Sequence, residues 1–304
     1  MDWSQPTSWT APLTLSGFLL ALLAGLAHFS AHSSRRGWPP PQHALLAGRT
    51  SHPAVRPAHL LAYRATVLAL TASLLLHSSL AAGPSCLRFF TVWNFIALVA
   101  CFALGTALSC AHVCAPAHCA HAPSAAHALA AAAHHLLLEI ELPMSAMIAA
   151  VVWLVLYPYD QDNHLTLLEY TNLTSLSMHG LNVCVLLLEF ALDALDVRPE
   201  HVGLFTAWGM LYALFNGTQA LWTHDTVYFF MDLTRLKTPL VALALACLMW
   251  CLFGGACLLS RLKWEACRRA PPGLEAALLP AEPAEILQLS RQLWGEGVAE
   301  ASGR

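Results

Sequence analysis

The chain has 304 residues, of which 57% are hydrophobic and only 11% are charged, and its net charge is −3. Soluble domains typically carry about a quarter charged residues, so the composition excludes an ordinary soluble domain and predicts a membrane protein. The small net charge gives no indication of nucleic-acid binding. Ten cysteines lie mostly in apolar segments, a pattern more typical of small buried thiols than of a disulfide framework.

Seven apolar runs are long enough to cross a bilayer as helices. They comprise residues 11–29, 61–81, 90–110, 142–157, 176–195, 202–221 and 239–260. The sequence therefore predicts an all-α fold, a polytopic transmembrane helical bundle of six core spans plus one N-terminal span. No basic segment precedes the first run, so we expect it to be a signal anchor. The chain divides into an N-terminal span with a cytosolic loop (1–60), a six-span membrane domain (61–260) and a mostly disordered cytosolic tail (261–304).

Three segments are predicted to lie outside the spans, because their composition does not suit a packed core. They are a Pro-, Ser- and Arg-containing loop (30–58), a low-complexity loop rich in Ala and His (111–135) and the tail after residue 270, with one short amphipathic helix near 285–294. With seven spans, all three segments fall on the same side of the membrane. We expect that side to be the cytosol, for the following reason.

The distribution of Lys and Arg predicts the orientation of the bundle. One side receives the basic residues of the first loop, Arg198 and the cluster that follows span seven, whereas the other side receives Arg88, Arg235 and Lys237. The N-terminus is therefore expected to be lumenal or extracellular and the C-terminus cytosolic, in the endomembrane system or the plasma membrane. The glycosylation sequon at Asn172 falls outside the cytosol in this topology.

Polar residues occupy one side of the predicted fifth span. His179, Asn182, Glu189 and Asp193 recur at i, i+3, i+10 and i+14 within an otherwise apolar run, a spacing that places them on one helix face. Ionisable groups inside a bilayer must face a partner, a cavity or a substrate. Glu189 is therefore expected to be protonated, paired or facing water, and a proton pathway is one alternative. Asp193 is expected at the inner interface, with Arg198 as a possible partner.

The predicted topology also brings a hydroxyl and an imidazole to the same leaflet. Thr91 opens span three with Asn94 one turn deeper, and His179 opens span five with Asn182 one turn deeper. A hydroxyl beside a histidine base is typical of a hydrolase nucleophile. The alternative is that these side chains only hydrogen-bond between helices. Both interpretations predict close packing of span three, because small residues continue the same face. These are Ala97, Cys101 and Gly105.

A cluster of Cys and His residues lies at the end of span three. It contains Cys110, His112, Cys114, His118, Cys119 and His121. These residue types bind zinc, but their spacing matches no standard structural zinc site. Further histidines in the same loop sit in Ala runs, which indicates compositional bias. We therefore assign no metal and no cofactor, and whether this loop binds metal stays open.

Three short motifs resemble those of known membrane proteins. Phe89-Phe90-Thr91-Val92-Trp93-Asn94 opens one helix, Ser177-Met178-His179-Gly180-Leu181-Asn182 opens another, and Tyr228-x-x-x-Asp232 follows with Pro239 beyond. Over residues 61–260 this order is similar to the androgen-induced protein family, which includes the regulator of tissue factor pathway inhibitor. It is also similar to the related rolling stone family of insects.

The resemblance implies specific chemistry for two residues. Androgen-induced proteins hydrolyse fatty acid esters of hydroxy fatty acids with a threonine nucleophile and a histidine base, so the implied nucleophile is Thr91 and the implied base is His179. Rolling stone is associated with myoblast fusion, which implies a non-enzymatic role. An extra N-terminal span, a long Arg-bearing first loop and the Ala/His insertion depart from the pattern without touching the implied site.

The first expectation is therefore a hydrolase of lipid esters, with membrane lipids and a lipid ester substrate as its partners. His179 would deprotonate Thr91, and Asn94, Asn182 or backbone amides would stabilise the oxyanion. Asp232 or Glu189 would orient His179, and nothing in the sequence chooses between them. The competing expectations are a non-enzymatic protein of adhesion, fusion or regulation, and a transporter or proton pathway that uses His179, Glu189 and Asp193.

Overall fold

The computed structural model describes residues 10–36, 46, 48–51, 55–115, 124–162 and 168–268. Within these residues the chain forms seven long helices. They are α1 (Thr10–Arg36), α2 (Pro57–Ala82), α3 (Phe90–Cys114), α4 (Ala125–Asp162), α5 (Leu173–Leu192), α6 (Val202–Thr223) and α7 (Thr238–Arg268). The expected all-α, multi-pass architecture is confirmed.

Six of these helices are long and apolar enough to cross a membrane, namely α1 to α5 and α7. Helix α6 is not among the six, although the run 202–221 was predicted to span. It has 22 residues and is therefore about 33 Å long at a rise of 1.5 Å per residue. Its length matches the hydrocarbon core, which is about 30 Å thick.

One end of the bundle, which we call the Thr10 end, gathers the start of α1 and two connections. Thr10 Oγ1 donates a hydrogen bond to the Thr234 carbonyl before α7, at 3.1 Å. Tyr212 in α6 donates from its hydroxyl to the Arg88 carbonyl between α2 and α3, at 2.6 Å. Arg88 also pairs with Asp225 after α6, at 2.5 Å. The α2–α3 and α6–α7 connections therefore lie together.

The opposite end, which we call the Lys263 end, gathers the remaining helix termini. The Ser51 amide before α2 donates to the Leu192 carbonyl at the end of α5, at 2.9 Å. Lys263 near the end of α7 donates to the Leu195 carbonyl at 2.6 Å. The Arg198 amide before α6 donates to Glu139 in α4, at 2.6 Å. Successive helices therefore run antiparallel, and α6 returns from the Lys263 end to the Thr10 end.

Helices α1 and α6 approach each other closely at two glycines. A Cβ built on Gly25 would lie 2.4 Å from the Gly203 carbonyl oxygen, and one on Gly203 would lie 2.5 Å from the Gly25 carbonyl oxygen. Only glycine allows two helix backbones to come this near, as in small-residue contacts between membrane helices. The first helix therefore packs along α6.

The expectation of a loop over 111–135 was wrong for its second half. Residues 125–135 form the first turns of α4, because alanine is the strongest helix former. His134 and His135 in this segment are buried, so they also pack against the bundle. Residues 116–123 of that loop and the amphipathic helix expected near 285–294 lie outside the described residues.

Two π-helical turns interrupt the long helices. One covers Val152–Leu156 in α4 and the other Ser177–Leu181 in α5. Such turns insert one residue into a helix and occur often at functional sites. In α5 the inserted residue rotates His179 away from the helix face that it was expected to share with Glu189. The Trp153 indole donates to the His179 carbonyl at 2.9 Å, so the two π-helical turns contact each other.

Candidate functional site

Thr91 lies in the first turn of α3 and lines a cavity of about 100 Å³ at the Thr10 end. The walls of this cavity are almost wholly apolar and come from α1, α3, α4, α6 and α7, and from residues 228–231. They include Phe18, Phe90, Met147, Val152, Met210, Phe230, Leu245 and Met249. The cavity is smaller than a usual ligand pocket of roughly 300–1,000 Å³. It therefore has room for part of an apolar chain.

Two tyrosines hold the start of α3 beside the cavity. The Phe90 amide donates to the Tyr228 hydroxyl at 3.1 Å, which satisfies one of the N–H groups that have no acceptor within the helix. The Tyr212 ring stacks on Phe90 with centroids 4.5 Å apart. Burial raises the pKa of Tyr228, so this phenol stays protonated at neutral pH. The position of Thr91 is therefore fixed by its neighbour in the chain.

His179 is partly buried in the π-helical turn of α5. Its Nδ1 lies 2.9 Å from the Ser175 hydroxyl, one turn earlier. Helix α3 packs against this π-helical turn, so Thr91 and His179 stand in neighbouring elements. No hydrogen bond joins the two side chains among the described residues. Sequence analysis missed Ser175, although its i, i+4 spacing to His179 was a usable signal.

The two asparagines of the expected site make local hydrogen bonds. Asn94 donates to the Phe90 carbonyl at 2.7 Å and accepts from the Trp208 indole at 3.0 Å. Asn182 donates to the Met178 carbonyl at 2.8 Å. Each side-chain amide therefore donates one hydrogen bond within its own helix. Asn94 also links α3 to α6, as expected if these polar side chains hydrogen-bond between helices.

Glu189 is paired, which is one of the three states expected from the sequence. Its Oε1 accepts from Arg64 Nε at 2.8 Å, and the side chains are 0% and 1% exposed, respectively. The same guanidinium donates to Ser109 Oγ at 2.7 Å and to the Gly105 carbonyl at 3.1 Å. Its Nη2 lies 3.3 Å from His134 Nε2. This buried ion cluster joins helices α2, α3, α4 and α5.

Asp193 belongs to the same cluster and not to a pair with Arg198. Its carboxylate lies 3.6 Å from Arg64 and 3.7 Å from Lys263. Arg198 instead pairs with Asp196 at 3.3 Å, so the expected Asp193–Arg198 contact was wrong. The reason is that α5 ends at Leu192, and extended backbone at Asp193 turns its side chain back into the bundle.

Neither carboxylate proposed to orient His179 contacts that ring in the described part of the chain. Asp232 accepts from Thr234 Oγ1 at 2.6 Å and from Arg235 Nε at 2.7 Å. Burial alone would raise the pKa of Asp232, but these hydrogen bonds outweigh it and hold the pKa below its ordinary value. Glu189 is committed to Arg64. The side chain that contacts the His179 ring is Ser175.

The side chains present do not form an evident metal centre in the part of the chain that the structure describes. Oxygen and nitrogen atoms of His134, Glu189 and Asp193 lie within 4.8 Å of one another, but the Arg64 guanidinium stands among them and already neutralises Glu189. Three of the Cys/His cluster residues fall outside the described ranges, namely His118, Cys119 and His121. The described cysteines are free, and three of them are buried.

Comparison with models of known protein families gave no match, and neither the curated proteins nor the solved structures contain a match to this chain.

Proposed function

We propose that this multi-pass membrane protein hydrolyses lipid esters, with Thr91 as the nucleophile and His179 as the base. The observation that carries the proposal is the position of Thr91 on the wall of an almost wholly apolar cavity. An acyl chain could enter such a cavity while its ester carbonyl stays near the polar end of α3. The resemblance to the androgen-induced family implies the same two residues.

The volume of the cavity limits what it holds in this state. At about 100 Å³ it accommodates a short part of an acyl chain, so a complete lipid requires the helices to separate further. Thr91 and His179 must also come within hydrogen-bond reach, about 2.6–3.2 Å between heavy atoms. Catalytic contacts are often loose without substrate, so substrate entry is the step expected to bring the two together.

Ser175 supports the role of His179 as a base. If Nδ1–H donates to the Ser175 hydroxyl, Nε2 is unprotonated and can accept a proton. Thr91 Oγ then loses its proton to Nε2 and bonds to the ester carbonyl carbon, and the bond from that carbon to the alcohol oxygen breaks as the alcohol takes the proton back. Water repeats the sequence on the acyl-threonine and releases the fatty acid.

The proton-pathway alternative gains less support from the geometry. Glu189 and Asp193 are engaged with Arg64 and Lys263, so they form a neutral set of two cations and two carboxylates. In the part of the chain that the structure describes, no particular contact favours the adhesion or fusion alternative. The hydrolase is therefore the function that the arrangement of side chains supports best.

The test is fluorophosphonate labelling of membranes that contain matched amounts of wild type, Thr91→Ala, His179→Ala, Ser175→Ala and Thr106→Ala. Thr106 is the control, because it lies on the same helix and, among the described residues, its hydroxyl hydrogen-bonds only to the Phe102 carbonyl. We expect Thr91→Ala and His179→Ala to lose the label and Thr106→Ala to keep it. Ser175→Ala should keep the label but react more slowly, with a changed pH profile.

Two outcomes would overturn the proposal. If wild type and Thr91→Ala react equally, Thr91 is not the nucleophile. If Ser175→Ala alone abolishes labelling, the nucleophile is Ser175 and the apolar cavity has another role. Size-exclusion profiles of each variant in detergent show whether a variant that loses the label is still folded.

A further inference from the structure

A concave surface lies at the Lys263 end, far from Thr91, between the segment that precedes α6 and the last turns of α7. It has a polar mouth of about 520 Å³ and an adjoining apolar groove of about 380 Å³. The two parts share three lining residues, Pro199, Cys257 and Arg261. Each volume falls in the range of roughly 300–1,000 Å³ that is typical of ligand sites.

The mouth carries charges of both signs. Arg261 and Glu265 stand one turn apart on α7, both are exposed, and among the described residues neither has an ion pair or a hydrogen bond. Trp264 lines the mouth beside them. Across from them, Arg198 pairs with Asp196 at 3.3 Å. Burial opposes ionisation of Asp196, but the charges of His135 and Arg198 outweigh it and lower its pKa.

The groove continues from this mouth along α6 and α7 toward the middle of the span. Its walls include Trp250 and Leu258, which are 51% and 56% exposed. The Trp250 indole is fixed by a bond to Thr206 Oγ1 at 3.0 Å. At Gly254 a Cβ would meet nothing within 4 Å, so the missing side chain leaves the groove open. Because α7 is apolar enough to cross a membrane, the groove faces lipid.

We propose that this surface binds one phospholipid with a zwitterionic choline headgroup. Arg261 pairs with the phosphate, and the Glu265 carboxylate receives the quaternary ammonium at the mouth that Trp264 also lines. One acyl chain lies in the groove over Gly254 and against Trp250. The opposite charges one turn apart favour a zwitterion over an anionic lipid, since an anionic headgroup would leave Glu265 opposed by negative charge.

The experiment uses the full chain reconstituted in phosphatidylcholine vesicles that contain a small fraction of phosphatidylcholine with a photoreactive diazirine on its acyl chain. After irradiation, mass spectrometry locates the cross-links. We expect them on the segment from Trp250 to Leu258. They should become stronger when phosphatidylglycerol replaces the unlabelled phosphatidylcholine, because unlabelled phosphatidylcholine competes with the probe for the site and phosphatidylglycerol does not. The site is independent of the proposed hydrolysis, so the Thr91→Ala variant should cross-link as wild type does.

Matched variants decide whether the site is specific. Gly254→Leu fills the groove, whereas Gly255→Leu adds the same side chain at a neighbouring position that is equally open and does not line it. Arg261→Ala removes the phosphate partner, and Lys237→Ala is its control at the Thr10 end. Gly254→Leu and Arg261→Ala should each reduce cross-linking about tenfold, the effect of losing about 1.4 kcal/mol, and the controls should not.

Three results would overturn the proposal. Equal cross-linking in Gly254→Leu and Gly255→Leu would mean that the chain does not lie in the groove. Equal competition by phosphatidylglycerol would mean that the headgroup is not recognised as a zwitterion. Cross-links spread evenly over the lipid-facing helices would mean that the protein has only ordinary surrounding lipid. Thermal unfolding of each variant shows whether it is folded.

Discussion

Replacing Arg64 with leucine should be among the most damaging single changes in the chain. The guanidinium is 1% exposed and contacts Glu189, Ser109, the Gly105 carbonyl and Asp193. Without it, the Glu189 carboxyl lies inside the bundle without its cationic partner, since Lys263 pairs with Asp193, and it must either keep an uncompensated charge or bind a proton, and both are costly. Removal of one partner from a buried ion pair costs about 3–5 kcal/mol.

The double variant Arg64→Leu, Glu189→Leu should recover most of that loss. It removes one positive and one negative charge, so Asp193 and Lys263 remain as a balanced pair. Replacement of a whole buried ion pair by apolar residues is often neutral or stabilising. The two changes should therefore be strongly non-additive, with a coupling free energy of at least about 3 kcal/mol.

The measurement is a double-mutant cycle of unfolding in detergent, followed by tryptophan fluorescence. Arg88→Leu and Asp225→Leu provide the control cycle, because that pair is 35% and 62% exposed and should give a coupling below about 1 kcal/mol. If the Arg64 and Glu189 changes prove additive, or if their coupling is as small as that of the control, the buried cluster does not stabilise the bundle as argued.

Two further predictions concern the packing of α1 and the turn before α7. Gly203→Ala should destabilise the protein by about 1–3 kcal/mol in a thermal unfolding assay, because the added Cβ would meet the Gly25 backbone. Gly17 lies on α1 with open space around it, so Gly17→Ala should be neutral or slightly stabilising in the same assay. The pKa of Asp232 is lowered in the folded state, so its carboxylate contributes stability above the ordinary value of about 3.9. That contribution is lost as the pH falls through the folded pKa. The difference in unfolding free energy between wild type and Asp232→Asn should therefore be present at neutral pH and shrink in acid, and a pH-independent difference would contradict this account.

Much of the fold followed from composition because the bilayer permits few alternatives. A run of about twenty apolar residues with few charges must be a helix if it crosses a membrane. The expected runs therefore correspond to the observed long helices. The error over 111–135 arose because the low-complexity Ala and His composition of this segment was taken as evidence against a packed helix. His134 and His135 are buried, since Arg64 and Cys101 supply partners for His134 and Asp196 supplies one for His135.

The partners of the polar residues could not be predicted from spacing. The expectation that Glu189 is paired follows from the cost of a charge in hydrocarbon, but the choice of Arg64 depends on which helix packs beside α5. Arg64 near the start of the predicted second span was a signal that the sequence analysis did not use. Ser175 was missed because the predicted span began one residue after it.

The polar residues of α5 serve two separate purposes, and this separation determines how variants should be interpreted. His179 stands at the Thr10 end beside Ser175, whereas Glu189 and Asp193 bind Arg64 and Lys263 toward the other end. His179 lies within the π-helical turn Ser177–Leu181, which breaks the helical register that it would otherwise share with Glu189 and Asp193. A change at Glu189 alone would lower stability, and any loss of activity would then report less folded protein. The double variant with Arg64→Leu avoids this ambiguity, because it removes the carboxylate while the bundle stays balanced. A hydrolase that uses Thr91 and His179 should therefore keep its activity per folded molecule in the double variant, and a proton pathway through Glu189 should lose it.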